Sequence, residues 1–300
     1  MSASDMDRRA FVRTAARAGA LMLAGSGFRF TPRPEVQDAL RIVFIPGSGS
    51  ASASAARGVT MGYEEAARTG ELVGRRIALV TADSVDDAAA LAGDARPAAL
   101  VGGFDDAQCD ALARVARGGR VLAMNVGCRS DRWRSTACAR NLFHVEASDC
   151  MYADARAARG EDGQVPADAV LWHPSLERFG AAQLNDRFRA RFGGPMDGAA
   201  WAGWMAVKVL WEASLRARTT QPGELRTYLE SGLTNVDGHK GWPLSFRAWN
   251  HQLRQPLYLV GSAGRVVGEA PVRRPGDDSR AALDVLGGKE PSAAVCEMTR

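Results

Sequence analysis

The sequence predicts an α/β protein built on a doubly wound parallel sheet. Three observations carry that reading: short, continuously apolar and often β-branched runs, helices of ordinary length between them, and turn residues where the runs end. The first run, Arg41-Ile42-Val43-Phe44-Ile45-Pro46, has the composition of a strand covered on both faces. It ends in Gly47-Ser48-Gly49-Ser50, read as a flexible turn, and a helix follows from Ser54 to Gly70 with apolar spacing through Val59, Tyr63 and Ala66. The unit then repeats. Ile77 to Val80 is a strand, Val85 to Leu91 a helix, Ala98 to Val101 a strand, Asp106 to Arg117 a helix and Val121 to Met124 a strand.

Past a polar segment from Arg129 to Arg140, Leu142 to Val145 reads as a further strand and Asp149 to Arg159 as a helix, closing a sheet lobe over 40–159. Residues 160–171 open with Gly160-Glu161-Asp162-Gly163 and read as a linker. A helical part spans 172–235, with helices at Leu176 to Phe192, Ala199 to Arg216 and Glu224 to Glu230. Late strands occupy 236–270, at Leu244 to Trp249, Pro256 to Val260 and Arg265 to Val267, and 271–300 is a Pro/Gly/Asp-rich tail.

The first 30 residues read differently. Arg8 and Arg9 are followed by Phe11, then by a mildly apolar stretch from Ala15 to Gly27 that Arg17 interrupts. A charged start ahead of a short apolar run is an export signal, and the paired arginine makes it a twin-arginine signal, which places the mature protein in the periplasm. Of the formal charge of +4, this segment supplies five arginines against two aspartates, so the mature chain is left near neutral. No basic stripe remains for nucleic acid, and no 18-residue apolar run remains to span a membrane.

Composition also narrows the chemistry. The five cysteines, at 109, 128, 138, 150 and 296, include no C-x-x-C pair and no zinc spacing, so no metal is expected. An oxidising compartment allows one or two disulfides and leaves at least one thiol. Gly47 to Ser50 lies between a strand and a helix, as a phosphate loop does, but the lysine of that motif is absent and no dinucleotide fingerprint occurs, so no cofactor is expected. There is no G-x-S-x-G, and His144, His173, His239 and His251 lie in no paired motif; the chain reads as non-catalytic. Trp201, Trp204 and Trp211 share a helix face with Lys208, either to hold a cation or, more simply, to pack on the sheet with the lysine stem reaching outward.

In a doubly wound sheet ligands meet the loops at the carboxyl ends of the strands. Those loops contain Ser48 and Gly49, then Gly103, Phe104 and Asp105, then Asn125 and Gly127. They are the candidate ligand residues.

Longer stretches carry a family resemblance. Arg57-Gly58-Val59 through Glu64-Glu65-Ala66 to Gly74-Arg75-Arg76-Ile77-Ala78-Leu79-Val80 resembles the first helix and second strand of type I periplasmic solute-binding proteins of ABC transporters, of the branched-chain amino acid receptor kind. A subgroup encoded alongside pyrroloquinoline quinone (PQQ)-dependent alcohol oxidation is more similar still. Cys138 to His144 with Met151 to Ala155, Glu177 to Asn185, and Lys240-Gly241-Trp242-Pro243-Leu244-Ser245-Phe246-Arg247-Ala248-Trp249 into Gln252 to Pro256 carry that likeness, and Leu283 to Gly287 with Cys296 extend it into the tail. The resemblance implies an ABC permease partner, a small ligand and an association with a PQQ dehydrogenase system. It also implies a second α/β lobe between Arg159 and Trp172, where this chain has only the linker, so that lobe is expected to be largely deleted. Receptors of this kind hold amino acids through strand-end hydroxyls; the loops at Gly102 to Asp106 and Asn125 to Cys128 have none, so Phe104, Asp105 and Asn125 are expected to face an alcohol-derived or other small polar ligand. The competing expectation is an accessory protein that kept the fold and lost ligand capture.

Overall fold

A computed structural model describes residues 39–91, 95–158, 163, 165–272, 276 and 278–287. Arg8, Arg9 and Phe11, with the rest of the export signal, lie outside the described residues.

The sheet lobe is built from β1 (Leu40–Phe44), α1 (Gly49–Val73), β2 (Ile77–Thr81), α2 (Val85–Ala90), β3 (Ala99–Gly102), α3 (Asp106–Arg117), β4 (Leu122–Asn125), β5 (Leu142–His144) and α4 (Asp149–Ala157). The five strands are parallel in the order β2-β1-β3-β4-β5. Because β1 runs to β2 on one side and the chain then crosses to β3 on the other, the order reverses between β1 and β3. Alternate residues divide between two cores. Ile42, Phe44, Val101 and Met124 face one, and Val43, Leu100 and Ala123 face the other. That double burial explains the unbroken apolar runs.

Helix α1 begins earlier than the sequence suggested. Gly47 to Ser50 is not a flexible turn: Ser48 is the extended cap residue, the helix starts at Gly49, and it continues past Gly70 to a left-handed Gly74. The Ala/Ser run hid this start because it offers no apolar period, while packing holds Ser52, Ser54 and Ala55 in the interior.

The later helices are α5 (Ala181–Phe192), α6 (Gly198–Ala217) and α7 (Pro222–Glu230). Asp197 caps α6 by accepting from Ala200 N at 2.8 Å, and its carboxylate also accepts from Ser54 Oγ at 2.6 Å, tying α6 to α1. Between those helices glycine faces backbone. A Cβ on Gly58 would overlap the carbonyl of Ala200, and one on Gly203 the carbonyl of Ala55. Trp201, Trp204 and Trp211 are all buried on α6. Lys208 turns to Glu212, 2.6 Å away, while its ammonium lies 5.7 Å from the Trp204 ring centre.

Residues 160–171 are more than a linker. They contain β6 (Asp168–Val170), which joins β10 (Leu257–Val260) and β11 (Val266–Ala270) in an antiparallel sheet of order β11-β10-β6. A third small sheet holds β7 (Val236–Asp237), β8 (Pro243–Phe246) and β9 (Leu253–Arg254). Part of the tail has defined structure: α8 (Ser279–Leu283) buries Leu283, and Asp284 accepts from Arg247 Nε and Arg254 Nε, both at 2.8 Å.

A carboxylate ties α7 to the sheet lobe. Glu230 takes Arg140 Nε at 3.1 Å and Nη2 at 3.2 Å, and His251 Nε2 lies 3.2 Å away. Burial alone would raise its pKa, but His251 and Arg140 outweigh burial and hold it at about 2. A depressed carboxylate stabilises the fold fully above its usual value of 4.5, and that contribution disappears as pH falls toward 2. Glu230→Gln is expected to remove up to about 3 kcal/mol at neutral pH and to flatten the stability profile across this acid window, read by urea denaturation at stepped pH.

Candidate functional site

Four loops converge at the carboxyl end of the parallel sheet. After β1, Gly47 N donates to Ser52 Oγ at 2.8 Å, which presses the turn onto the first helical residues. Ser48, Gly49 and Ser50 are exposed, and the Ser48 side chain makes no capping bond, so its hydroxyl and the first amides of α1 face outward. After β3, the left-handed Gly103 turns the chain and Asp105 caps α3 by accepting from Gln108 N at 2.8 Å. Gln108 fastens two loops: its Oε1 accepts from Gly103 N at 2.6 Å and Phe104 N at 3.1 Å, and its Nε2 donates to Pro46 O at 3.0 Å.

Phe104 lies half-buried across the glycines of the neighbouring loops. A Cβ on Gly47 would come within 2.7 Å of its side chain and one on Gly127 within 2.8 Å of its ring, while Phe44 meets the ring edge-on at 6.1 Å. Thus Gly47, Phe104 and Gly127, distant in sequence, form one continuous surface at the switch between β1 and β3.

Asn125 and Asp105 have other work. Asn125 is fully buried; its Oδ1 accepts from Gly127 N and Cys128 N, and its Nδ2 donates to Cys128 O at 2.8 Å and meets His144 Nδ1 at 3.0 Å. Its amide shapes the loop after β4 from within instead of facing a ligand, and the Asp105 carboxylate is engaged at the helix cap. His144 accepts at Nδ1 and donates Nε2–H to Trp133 O at 3.2 Å; burial pushes its pKa well down, so it stays neutral and structural.

Around the loop after β5, three residues that motif reading did not single out come together: Glu146 from the loop, Tyr152 from α4 and Arg129 from the segment after β4. Glu146 is buried, and its Oε1 accepts from Tyr152 O–H at 2.7 Å and Ala147 N at 3.1 Å, with Arg129 Nε at 3.6 Å. Burial raises the Glu146 pKa against the pull of Arg129. The Arg129 guanidinium stacks 4.1 Å from the Tyr152 ring centre and keeps 51% of its side-chain surface exposed, so it presents a fixed positive charge at this end of the strands. The available signal was a carboxylate directly after a strand and two residues before a capping serine, Ser148.

Beneath the loops a buried lysine joins the sheets. Lys240 Nζ donates to Leu171 O at 2.8 Å, Gln255 Oε1 at 3.0 Å and Pro256 O at 3.1 Å, and sits 4.0 Å over the Trp201 ring. Gln255 continues the chain by donating to Val145 O at 2.7 Å, at the end of β5. Trp201 therefore does hold a cation, but it is Lys240 and not Lys208. Among the described residues no group of three His, Cys, Asp or Glu side chains is placed to bind a metal, and no helix is long and apolar enough to cross a membrane.

No protein-family model and no curated protein sequence matches the chain. Solved structures do match. An ABC-type branched-chain amino acid transporter protein from Rhodopseudomonas palustris superposes with a TM-score of 0.64 at 16% identity, over 78% of this chain and 96% of that one. A branched-chain amino acid transporter substrate-binding protein from Streptococcus pneumoniae, in complex with isoleucine, gives 0.60 at 15% identity, over 77% and 98%. A solute-binding protein of an R. palustris ABC transporter, in complex with benzoate, gives 0.60 at 15%, over 80% and 98%. The chain has the α/β fold of type I periplasmic binding proteins.

Proposed function

We propose that this chain is an exported, non-catalytic solute-binding component of an ABC import system, linked to PQQ-dependent alcohol catabolism, and that it takes a small polar ligand at the strand-end loops. The observation that carries the reading is the continuous surface of Gly47, Phe104 and Gly127 at the sheet's switch point, held by the Gln108 bridge beside the exposed start of α1. Two features favour a ligand with an anionic or strongly polar end: outward amides of a 25-residue helix and the half-exposed Arg129. Phe104 supplies an apolar face for the remainder, which suits a short-chain or aromatic acid, aldehyde or alcohol. Fold relatives whose structures hold isoleucine and benzoate support ligands of this size. Export rests on Arg8, Arg9 and Phe11, and the permease and dehydrogenase-system partners rest on the sequence resemblance.

A second reading has its own observation. Beyond the parallel lobe the described residues form two small three-stranded sheets, β11-β10-β6 and β7-β8-β9, and this small strand content favours a second lobe that is largely deleted. A protein so shortened serves as a periplasmic accessory that kept the fold without capturing solute. A thermal-shift screen of amino acids, short alcohols, aldehydes, aromatic acids and PQQ separates the two. The solute-binding reading expects at least one compound to raise Tm in proportion to the logarithm of its concentration. No shift with any compound, together with recovery of a dehydrogenase or cytochrome from periplasm, favours the accessory.

A further inference from the structure

Two buried thiols meet under the ligand loops. Cys109 lies in the first turn of α3 with no exposed surface, and Cys128 leaves the loop after β4 with 5% of its surface exposed. Gly103 lies beside both: Cys128 N donates to Gly103 O at 2.5 Å, and a Cβ on Gly103 would lie 3.1 Å from Cys109 Sγ. Asp106 gives a second reference point: its Oδ1 is 3.4 Å from Cys128 Sγ, and Asp106 and Cys109 stand three residues apart, on one helix face. Cys128 Sγ donates its hydrogen to that Asp106 carboxylate oxygen. The third free thiol among the described residues, Cys150, is exposed and elsewhere.

We infer that Cys109 and Cys128 form a reversible dithiol that closes to a disulfide by exchange with a small-molecule disulfide, cross-linking the loops after β3 and β4. The roles of the two sulfurs follow from their surroundings. The neighbouring Cys109 and the Ser130 amide lower the Cys128 pKa against burial and the Asp106 carboxylate, while the Cys128 sulfur and burial raise Cys109. Cys128, the more exposed of the two, is therefore the attacking thiolate and Cys109 the resolving thiol. The Cys128 thiolate attacks one sulfur of an oxidised glutathione-type disulfide, forming a mixed disulfide and releasing one thiolate. Cys109 then loses its proton to water, attacks the Cys128 sulfur and expels the second small thiol. Two protein thiols are oxidised and one small disulfide is reduced to two thiols.

The consequence falls on the strand-end loops. A bridge from Cys109 to Cys128 ties the loop after β4, with Gly127, to the start of α3 beside Gly103, so oxidation fixes the Gly127 side of the surface on which the Phe104 ring rests. A chain sent to an oxidising compartment meets the conditions for closure. The chemistry itself needs neither a ligand nor a permease, so its test stands or falls apart from the solute-binding reading.

The experiment is peptide-resolved thiol mapping of the purified full chain. The protein is equilibrated with oxidised glutathione, quenched in acid, alkylated in denaturant and digested without reduction. The expected result is a disulfide-linked peptide pair containing Cys109 and Cys128, and alkylation of neither. Alkylation of both, separate glutathione adducts on each, or a link from Cys128 to Cys150 would overturn the inference. In Cys109→Ser the expected product is a trapped glutathione adduct on Cys128; an unmodified Cys128 there would refute its role as the attacking sulfur. Should that variant fail to fold, the mapping of the unsubstituted chain still decides.

Discussion

Gly58→Ala is expected to destabilise the protein by about 3 kcal/mol or more, despite replacing a helix-interior glycine with the best helix former. Propensity alone would favour the change by roughly 1 kcal/mol. The opposing term is larger because the new methyl meets the Ala200 carbonyl, a backbone atom that cannot move without shifting α6. Gly203→Ala presents the same conflict from the other side, against the Ala55 carbonyl. Since α1 and α6 bury Val59, Met61, Trp201 and Met205 between themselves and the sheet, separating them weakens the whole face. Gly194→Ala is the control: nothing lies within 4 Å of its Cβ position, and its stability is expected to stay within about 0.5 kcal/mol of the parent. Urea denaturation of the three variants reads the difference, and equal midpoints for all three would refute close helix contact.

Lys240→Ala is expected to have a comparable effect, a loss of about 3 kcal/mol, for a different reason. A buried ammonium is costly, and burial pushes the Lys240 pKa well below the usual lysine range. What offsets that cost is three acceptors at 2.8 to 3.1 Å and the Trp201 ring. Truncation removes the donors, strands Gln255 Oε1 beside two backbone carbonyls, and leaves a void against the indole. Lys240→Met fills the void without restoring the donors, so its expected loss is smaller, about 1–2 kcal/mol. A methionine variant more stable than the parent would mean that desolvation outweighs the contacts, contrary to the account given.

The parallel sheet was readable from sequence because β1, β3, β4 and β5 are buried on both faces and even the more exposed edge strand β2 carries its own apolar run. β6 was not. Asp168-Ala169-Val170 is three residues long, and it is a strand only because Tyr258, Leu259 and Val260 pair with it from far along the chain. The start of α1 was hidden in an Ala/Ser run whose interior positions are set by α6. At the site, the strand-end rule pointed to the loops after β1, β3 and β4, since the rule follows from topology. It misassigned what Asn125 does: whether a polar side chain faces outward depends on whether its own turn uses it, and here Gly127 N and both main-chain groups of Cys128 do. Lys240 was unremarkable between His239 and Gly241; its burial is produced by distant segments near Leu171, Trp201 and Gln255.

The central claim is that the loops after β1, β3 and β4 form one ligand surface around Phe104. Hydrogen exchange with and without the compound that raises Tm most in the screen tests it directly, because bound loops exchange more slowly. The account predicts protection concentrated at 47–52, 103–106 and 126–129, and loss of both the protection and the Tm shift in Gly127→Val, whose side chain would displace the Phe104 ring. Protection confined to other segments, or an undiminished shift in Gly127→Val, would contradict it.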